Sequence, residues 1–370
     1  MWTIYRALIC AVILCTYTAA MALDDFIPND FYYNTYQWYS TKMDMPEAWG
    51  YSTGSSSVKV AVLDTGVIST IPDLSGRILS PLSAVPGQDP FPDDWLGDPT
   101  PGVNPTRRHG TWVASAIAMG INNSIGGAGM GNFSILPIRI AETTLNTQDA
   151  WLADGIRMAA DNGAKVINIS YLADDYGLLD TAAAYVRGKG ALTFIASGNS
   201  NFSRSIADYA NLIFVAGTDI NDERWSQWMN IGGVDALYGS SYGSYVDIAA
   251  PAGGKHGVTD EGILVADPTT LNGYGLISGT SFSTALASGA AALAWSINPN
   301  LTPDQVQQML YDTAVDLDAA GRDIYFGYGR VNVGAMAQTA YQSIVPEPSV
   351  WILLVSGAMV LIGCRRRAEG

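Results

Sequence analysis

The sequence predicts an α/β fold of three layers, a mostly parallel sheet with helices on both faces. Two observations carry this expectation. Short apolar runs alternate with small-residue helical stretches, and no repeat, charge block or long linker interrupts residues 27–343. Strands covered on both faces have no solvent side, so they read as unbroken Val, Ile and Leu rather than as an alternation. A single domain over residues 23–343 fits this pattern better than two.

Each element follows in order. "SVKVAVLD" (57–64) is the first buried strand, and "HGTWVASAIAMGI" is the helix after it. "SILPIRI" (134–140) is a second strand, followed by the helix "TQDAWLADGIRMAADN", with Thr147 or Gln148 as its cap and Gly163 as its stop. "AKVINIS" (164–170), the helix "GLLDTAAAYVRGK", "ALTFIAS" (191–197) and "NLIFVAG" (211–217) continue the alternation. "GTSFSTALASGAAALAWSINP" has the Ala, Gly and Ser content that lets a helix pack closely inside a domain. "TPDQVQQMLYDTA" reads as a surface helix, with Thr302 capping and Pro303 in its first turn.

Composition and the two ends exclude several functions. A net charge of −15 leaves no basic footprint for nucleic acid. Residues 1–22, with Arg6, an apolar run and Ala20-Met21-Ala22, have the order of a secretory signal peptide cleaved after Ala22. Residues 344–370 form a separate tail, whose apolar run from Val350 to Gly363 is short against the roughly 20 residues of a spanning helix. Arg365 to Arg367 follow it, a flank that stays on the cytoplasmic side. The three cysteines, Cys10, Cys15 and Cys364, all lie in these ends, so the domain has no disulfide, cysteine zinc site or cysteine nucleophile.

Ligands of a doubly wound sheet gather outside the carboxyl ends of its strands. Asp64 closes the first strand, His109 opens a helix, Ser281 sits where another helix begins, and Asn199 follows a further strand in "FIASGNS". These types suit acyl transfer. A serine hydroxyl becomes a nucleophile when an imidazole takes its proton, a carboxylate orients that imidazole, and an amide with a helix-start N–H receives the oxyanion. Each residue alone is an ordinary turn, cap or core filler. The other histidine, His256 in "GGKHGVTDEG", has no helix after it and reads as a loop residue.

Taken together, "AVLDTGV", "HGTWVAS", "ASGN" and "SGTSFS" resemble the aspartate, histidine, oxyanion and serine motifs of the subtilisin-like serine proteases, the subtilase or peptidase S8 family. "PNDFYYNTYQWYSTKMDMPEAW" is similar to the start of the mature domain in the thermitase-like branch. The resemblance spans roughly residues 27–343. It implies a subtilisin-like fold and a serine endopeptidase acting on proteins or peptides. Asp64, His109 and Ser281 would be the catalytic residues, with Asn199 in the oxyanion hole, and Ser170, Tyr171, Leu172, Ser197 and Gly198 would contact substrate. It also implies structural Ca²⁺ at Asp30, Asp73 and Asn123, whose oxygen donors suit that ion.

The sequence departs from the family pattern in four places. Trp112 stands where a second histidine is usual and is expected to fill core or a subsite wall. Ala285 and Leu286 replace a proline and a histidine after the nucleophile. Leu172 and Ala173 replace pocket glycines, which favours a small acyl-side residue; profiling that selected Phe or Tyr there would contradict this. Only a few residues separate Ala22 from "PNDFYY", too few for a separately folded propeptide. These departures also motivate the alternative of a surface binding module with weakened chemistry, against which stands the presence of all four chemical residues. Pro346-Glu347-Pro348, the apolar run and the basic end resemble a PEP-CTERM sorting signal. That resemblance implies export to a bacterial envelope, transient membrane anchoring, and processing by a signal peptidase and an exosortase-type enzyme.

Overall fold

The computed structural model describes residues 23–90, 108–142, 146–231, 234–254 and 260–344. His256, residues 1–22 and residues 345–370 therefore lie outside the described residues. The chain enters through three short helices, α1 (Tyr33–Tyr36), α2 (Trp38–Lys42) and α3 (Met45–Tyr51), which pack onto the core through Tyr33, Tyr39, Met43 and Trp49.

The main sheet comprises β1 (Lys59–Asp64), β2 (Leu82–Ser83), β3 (Ser134–Arg139), β4 (Val166–Ile169), β5 (Leu192–Ala196), β6 (Leu212–Thr218) and β9 (Ile248–Pro251). Its order is β2-β3-β1-β4-β5-β6-β9, and every pairing is parallel. β1, β3, β4, β5, β6 and β9 are buried almost throughout, which explains their unbroken apolar sequence. Chain order reverses at β1, with β3 on one side and β4 on the other. The crevice at the carboxyl end of β1 is thus a topological switch point.

Separate hydrophobic clusters cover the two faces. One face carries α4 (His109–Ala118) and α7 (Thr280–Ile297), together with α9 (Val333–Gln342) and the apolar contacts of α8 (Pro303–Asp312). The other carries α5 (Asp149–Asp161) and α6 (Tyr176–Gly188). Residues Thr280 to Trp295 of α7 are all buried, so the small side chains expected there do let a helix run inside the domain. Thr302 accepts from the Gln305 amide at 3.2 Å, and the Gln305 side chain accepts from Thr302 N–H, a reciprocal cap.

Three expectations need correction. Gln148 is the N-cap of α5, but its side chain does not cap, and Thr147 Oγ1 instead donates to the Ile140 carbonyl at 2.6 Å. The predicted strands and helices are trimmed by one to three residues at most ends, where chain leaves the ladder for turns. Two antiparallel hairpins were not anticipated: β7 (Ser226–Ile231) with β8 (Val234–Gly239), and β10 (Ile263–Ala266) with β11 (Tyr274–Ile277). Gly232-Gly233 between "SQWMNI" and "VDALYG" is the sequence signal that identifies the first of them.

Candidate active site

The site begins with a close approach of α4 to the end of β1. A Cβ on Gly110 would lie 2.3 Å from the Gly66 carbonyl oxygen and 3.0 Å from Asp64 Cβ, so only glycine allows the contact. Gly110 N–H donates to Thr65 Oγ1 at 3.1 Å, and Ile68 N–H donates to Thr111 Oγ1 at 3.0 Å, fastening the helix start to the turn. This brings His109 Nδ1 to 2.9 Å from both Asp64 carboxylate oxygens. Asp64 is fully buried and also accepts from Thr65 N–H at 2.8 Å.

Burial alone would lower the His109 pKa. The charge of Asp64 and its hydrogen bond outweigh that and leave the imidazole above its ordinary 6.5. With Nδ1–H donated to Asp64, Nε2 is the ring's acceptor and can take a proton. Tyr171, Trp112 and Phe282 surround the ring at centroid distances of 6.2, 6.4 and 6.1 Å. Trp112 is buried in the core, as its position one turn into α4 predicted, and the Arg108 guanidinium lies 5.5 Å over its ring.

Ser281 is the second residue of α7, where backbone N–H groups have no helical partner. Asn199 Oδ1 is held by Thr280 N–H at 2.9 Å and Thr280 Oγ1 at 2.7 Å, leaving its Nδ2 as a donor beside the helix start. Gly279 precedes Thr280 with φ of 148°, and a Cβ there would lie 3.3 Å from that Nδ2. A buried polar chain fixes α7 against β4. Ser288 Oγ donates to Asn168 Oδ1, Asn168 Nδ2 to Ser170 Oγ, and Ser170 Oγ to the Ser281 carbonyl, each at 3.1 Å.

A cavity of about 220 Å³ adjoins Ser281 and Asn199. Ser170, Tyr171, Leu172 and Gly198 line it. Leu172 leans toward Gly198, its Cδ2 being 3.3 Å from where a Cβ there would sit. Ser197 is not among the lining residues. It is fully buried, its hydroxyl lies 3.3 Å from Ser240 Oγ, and its carbonyl accepts from the Tyr245 hydroxyl. Ala196, Ser200, Tyr238 and Thr280 complete the lining, and sequence reasoning had not assigned them to it. Tyr238 was out of reach because its hairpin was missed.

Asp30, Asp73 and Asn123 come together about 120–127, the loop after α4. Asp30 accepts from the amides of Asn122 and Asn123 at 2.8 and 3.0 Å. Asp73 accepts from Gly120 N–H at 3.1 Å, Asn123 Nδ2 at 2.7 Å and Tyr274 hydroxyl at 3.2 Å. Asn123 thus turns a donor to Asp73, not the oxygen expected of a ligand, while its Oδ1 accepts from Ile125 N–H at 3.0 Å. Burial pushes the Asp73 carboxyl up to about 6 against those hydrogen bonds. Among the described residues no cluster of three or more His, Cys, Asp or Glu could hold a metal.

The family model for subtilases matches residues 55–329. The chain is 34% identical over 309 residues to a thermophilic serine proteinase of Bacillus sp. strain AK1, covering 82% of this chain and 68% of that one. It is 35% identical over 312 residues to thermitase of Thermoactinomyces vulgaris, covering 83% and 98%. A solved structure described as proteases from Pseudoalteromonas arctica PAMC 21717 aligns with a TM-score of 0.67 and 27% identity, covering 85% of this chain and 99% of that one.

Proposed function

The chain belongs to the subtilase family and is a serine-type endopeptidase, and we propose that Asp64, His109 and Ser281 are its catalytic residues with Asn199 in the oxyanion hole. The observation that carries this is the contact of a fully buried Asp64 carboxylate with His109 Nδ1 at 2.9 Å. In this mechanism His109 Nε2 removes the Ser281 proton as Oγ attacks the scissile carbonyl. The imidazolium then returns that proton to the leaving amine, and water repeats the sequence to release the acid. Asp64 holds the tautomer and stabilises the imidazolium. Asn199 Nδ2 and Ser281 N–H donate to the oxyanion.

Asn199→Ala is expected to lower kcat by about 10²–10³ with little change in KM, because the lost donor acts on charge that develops only in the transition state. Steady-state kinetics on a peptide substrate checks it; an equal rise in KM with unchanged kcat would contradict the assignment.

Calcium is the proposed structural ion. Two buried carboxylates and an amide at one loop are oxygen-bearing residue types that suit it, and binding would require Asn123 to turn its oxygen rather than its NH₂ toward Asp73. Asp30, Asp73 and Asn123 would hold it, offsetting the cost of burying Asp73 and fastening the N-terminal arm to the loop after α4. Added calcium is expected to raise Tm by on the order of 5 °C over protein in EGTA. In Asp73→Asn that difference should disappear. A wild-type Tm indifferent to calcium would remove the ion from this account.

The same proposal makes residues 1–22 a signal peptide and residues 344–370 a sorting tail that anchors the enzyme at a bacterial envelope. Among the described residues no helix is long and apolar enough to cross a membrane, and residues 1–22 and 345–370 lie outside them. N-terminal sequencing of the exported protein is expected to begin at Leu23; a retained Met1 would contradict it.

A further inference from the structure

The segment after β8 ties two loops together. Ser241 N–H donates to the Gly198 carbonyl at 2.8 Å, and Ser241 Oγ accepts from Ser200 N–H at 3.2 Å. One residue on, the Tyr242 carbonyl accepts from Arg204 N–H at 2.8 Å. A Cβ on Gly243 would lie 2.6 Å from the Arg204 carbonyl oxygen, so the backbones meet closely there. The backbone of Arg204 is thus fixed relative to Gly198, which lines the cavity beside Ser281.

The side chain of Arg204 reaches back to that wall. Its Nη1 and Leu172 Cδ2 lie 3.2 and 3.3 Å from where a Cβ on Gly198 would sit. Leu172 and Gly198 both line the cavity, so the guanidinium meets the wall at a point where Gly198 adds no side chain. Nη1 is buried and has no hydrogen-bond partner, a standing cost for a charged donor that a ligand oxygen would remove. Arg108, Arg187, Arg322 and Arg330 are each paired with an aspartate, whereas among the described residues Arg204 forms no ion pair. Asp174 and Asp175 share with Arg204 a second cavity of about 450 Å³, but the Asp175 carboxylate caps α6 through Leu178 N–H instead. Burial pushes the hydroxyls of Tyr176 and Tyr245 up, and in both the nearby Arg204 charge acts in the opposite sense.

We propose that Arg204 selects an acidic residue, Glu or Asp, on the acyl side of the scissile bond. This rests on the peptidase reading above, in which residues 170–172 and Gly198 receive that part of the substrate. A carboxylate at the Gly198–Leu172 wall accepts from Nη1, a charge-assisted bond that an alkyl side chain cannot make and a neutral amide makes more weakly. Leu172 narrows the same edge, so the wall is both tight and positively charged. It disfavours Lys as well as a large aromatic side chain. In a chain of net charge −15 the overall field gives an acidic substrate no advantage, so a preference for one has to come from a local group.

The test uses the full chain and internally quenched peptides that differ only in the residue directly before the cleaved bond: Glu, Asp, Gln, Ala or Lys. A second set carries Glu or Gln directly after that bond instead. Comparing Glu with Gln isolates charge at nearly constant size. Wild type is expected to favour Glu over Gln by about ten- to a hundredfold in kcat/KM, and in the first set alone. Each variant is read by its own Glu-to-Gln ratio, so a change in overall turnover does not enter. Arg204→Gln should abolish the difference, Arg204→Glu should turn the preference toward Lys, and Arg204→Lys should keep its sign while lowering it. Arg157→Gln, at an exposed position of α5, should keep the whole preference and so separate a local contact from a general charge effect. No Glu preference in wild type, one confined to the second set, or one undiminished in the Arg204 variants that fold overturns the inference and leaves the peptidase reading intact. A folded wild type that cleaves none of the peptides overturns both.

Discussion

Replacing Ser281 by Ala is expected to reduce kcat/KM for peptide hydrolysis by on the order of 10⁶ while leaving substrate binding and the fold unchanged. Removing Oγ takes away the nucleophile but little else. Ser281 is 6% exposed, and the hydrogen bonds that place it are made through its carbonyl and through neighbouring Thr280 and Gly279. The substitution also keeps the N–H that serves the oxyanion, so a small residual rate over the uncatalysed reaction should remain. Because catalytic groups act as a unit, His109→Ala and the double variant should fall to about the same level, not to the product of two losses. Rates of both single variants and the double variant on one peptide check this. Multiplying losses would mean that Ser281 and His109 do not act in the same step.

Asp64→Asn carries the next largest effect, a loss of about 10⁴ in kcat near neutral pH. The amide is close to isosteric, so geometry survives, but its NH₂ can face Nδ1 and force the proton to Nε2, the atom that must accept from Ser281. The pH profile separates this from simple damage. In the wild type the working form of His109 is neutral, and Asp64 raises its pKa above 6.5. Activity should therefore rise with pH along a limb centred above 6.5. Without the carboxylate the raising influence is lost while burial still lowers the pKa, so the limb should move to lower pH. A limb that stayed in place would show that the titrating group is not His109.

The sheet was legible because every central strand is covered on both faces and must be apolar throughout, as in "VKVAVL" and "NLIFVAG". The residues of the proposed site stand out in the sequence because their types and order match a chemical need. What brings them together was less so. That Gly110 lies against Gly66 is a contact between segments 44 residues apart, and nothing local to either glycine announces it. Ser197 belongs to the same segment as Gly198, but its side chain is buried against Ser240 rather than in the cavity lining, a distinction that the segment's sequence does not carry. Tyr238 was overlooked because "SQWMNIGGVDALYG" was not parsed as a hairpin despite its central glycine pair. Asn123 was assigned correctly to the neighbourhood of Asp30 and Asp73, but spacing cannot say which end of an amide faces a carboxylate.

The central claim is that His109, oriented by Asp64, activates Ser281. Labelling with a fluorophosphonate, followed by peptide mapping, tests it most directly, since the probe reports an activated serine without requiring the natural substrate. One label per folded chain, located on Ser281, abolished in Ser281→Ala and greatly slowed in Asp64→Asn, is the predicted result. A folded chain that hydrolyses peptides yet carries no label, or carries it on another serine, would contradict the account.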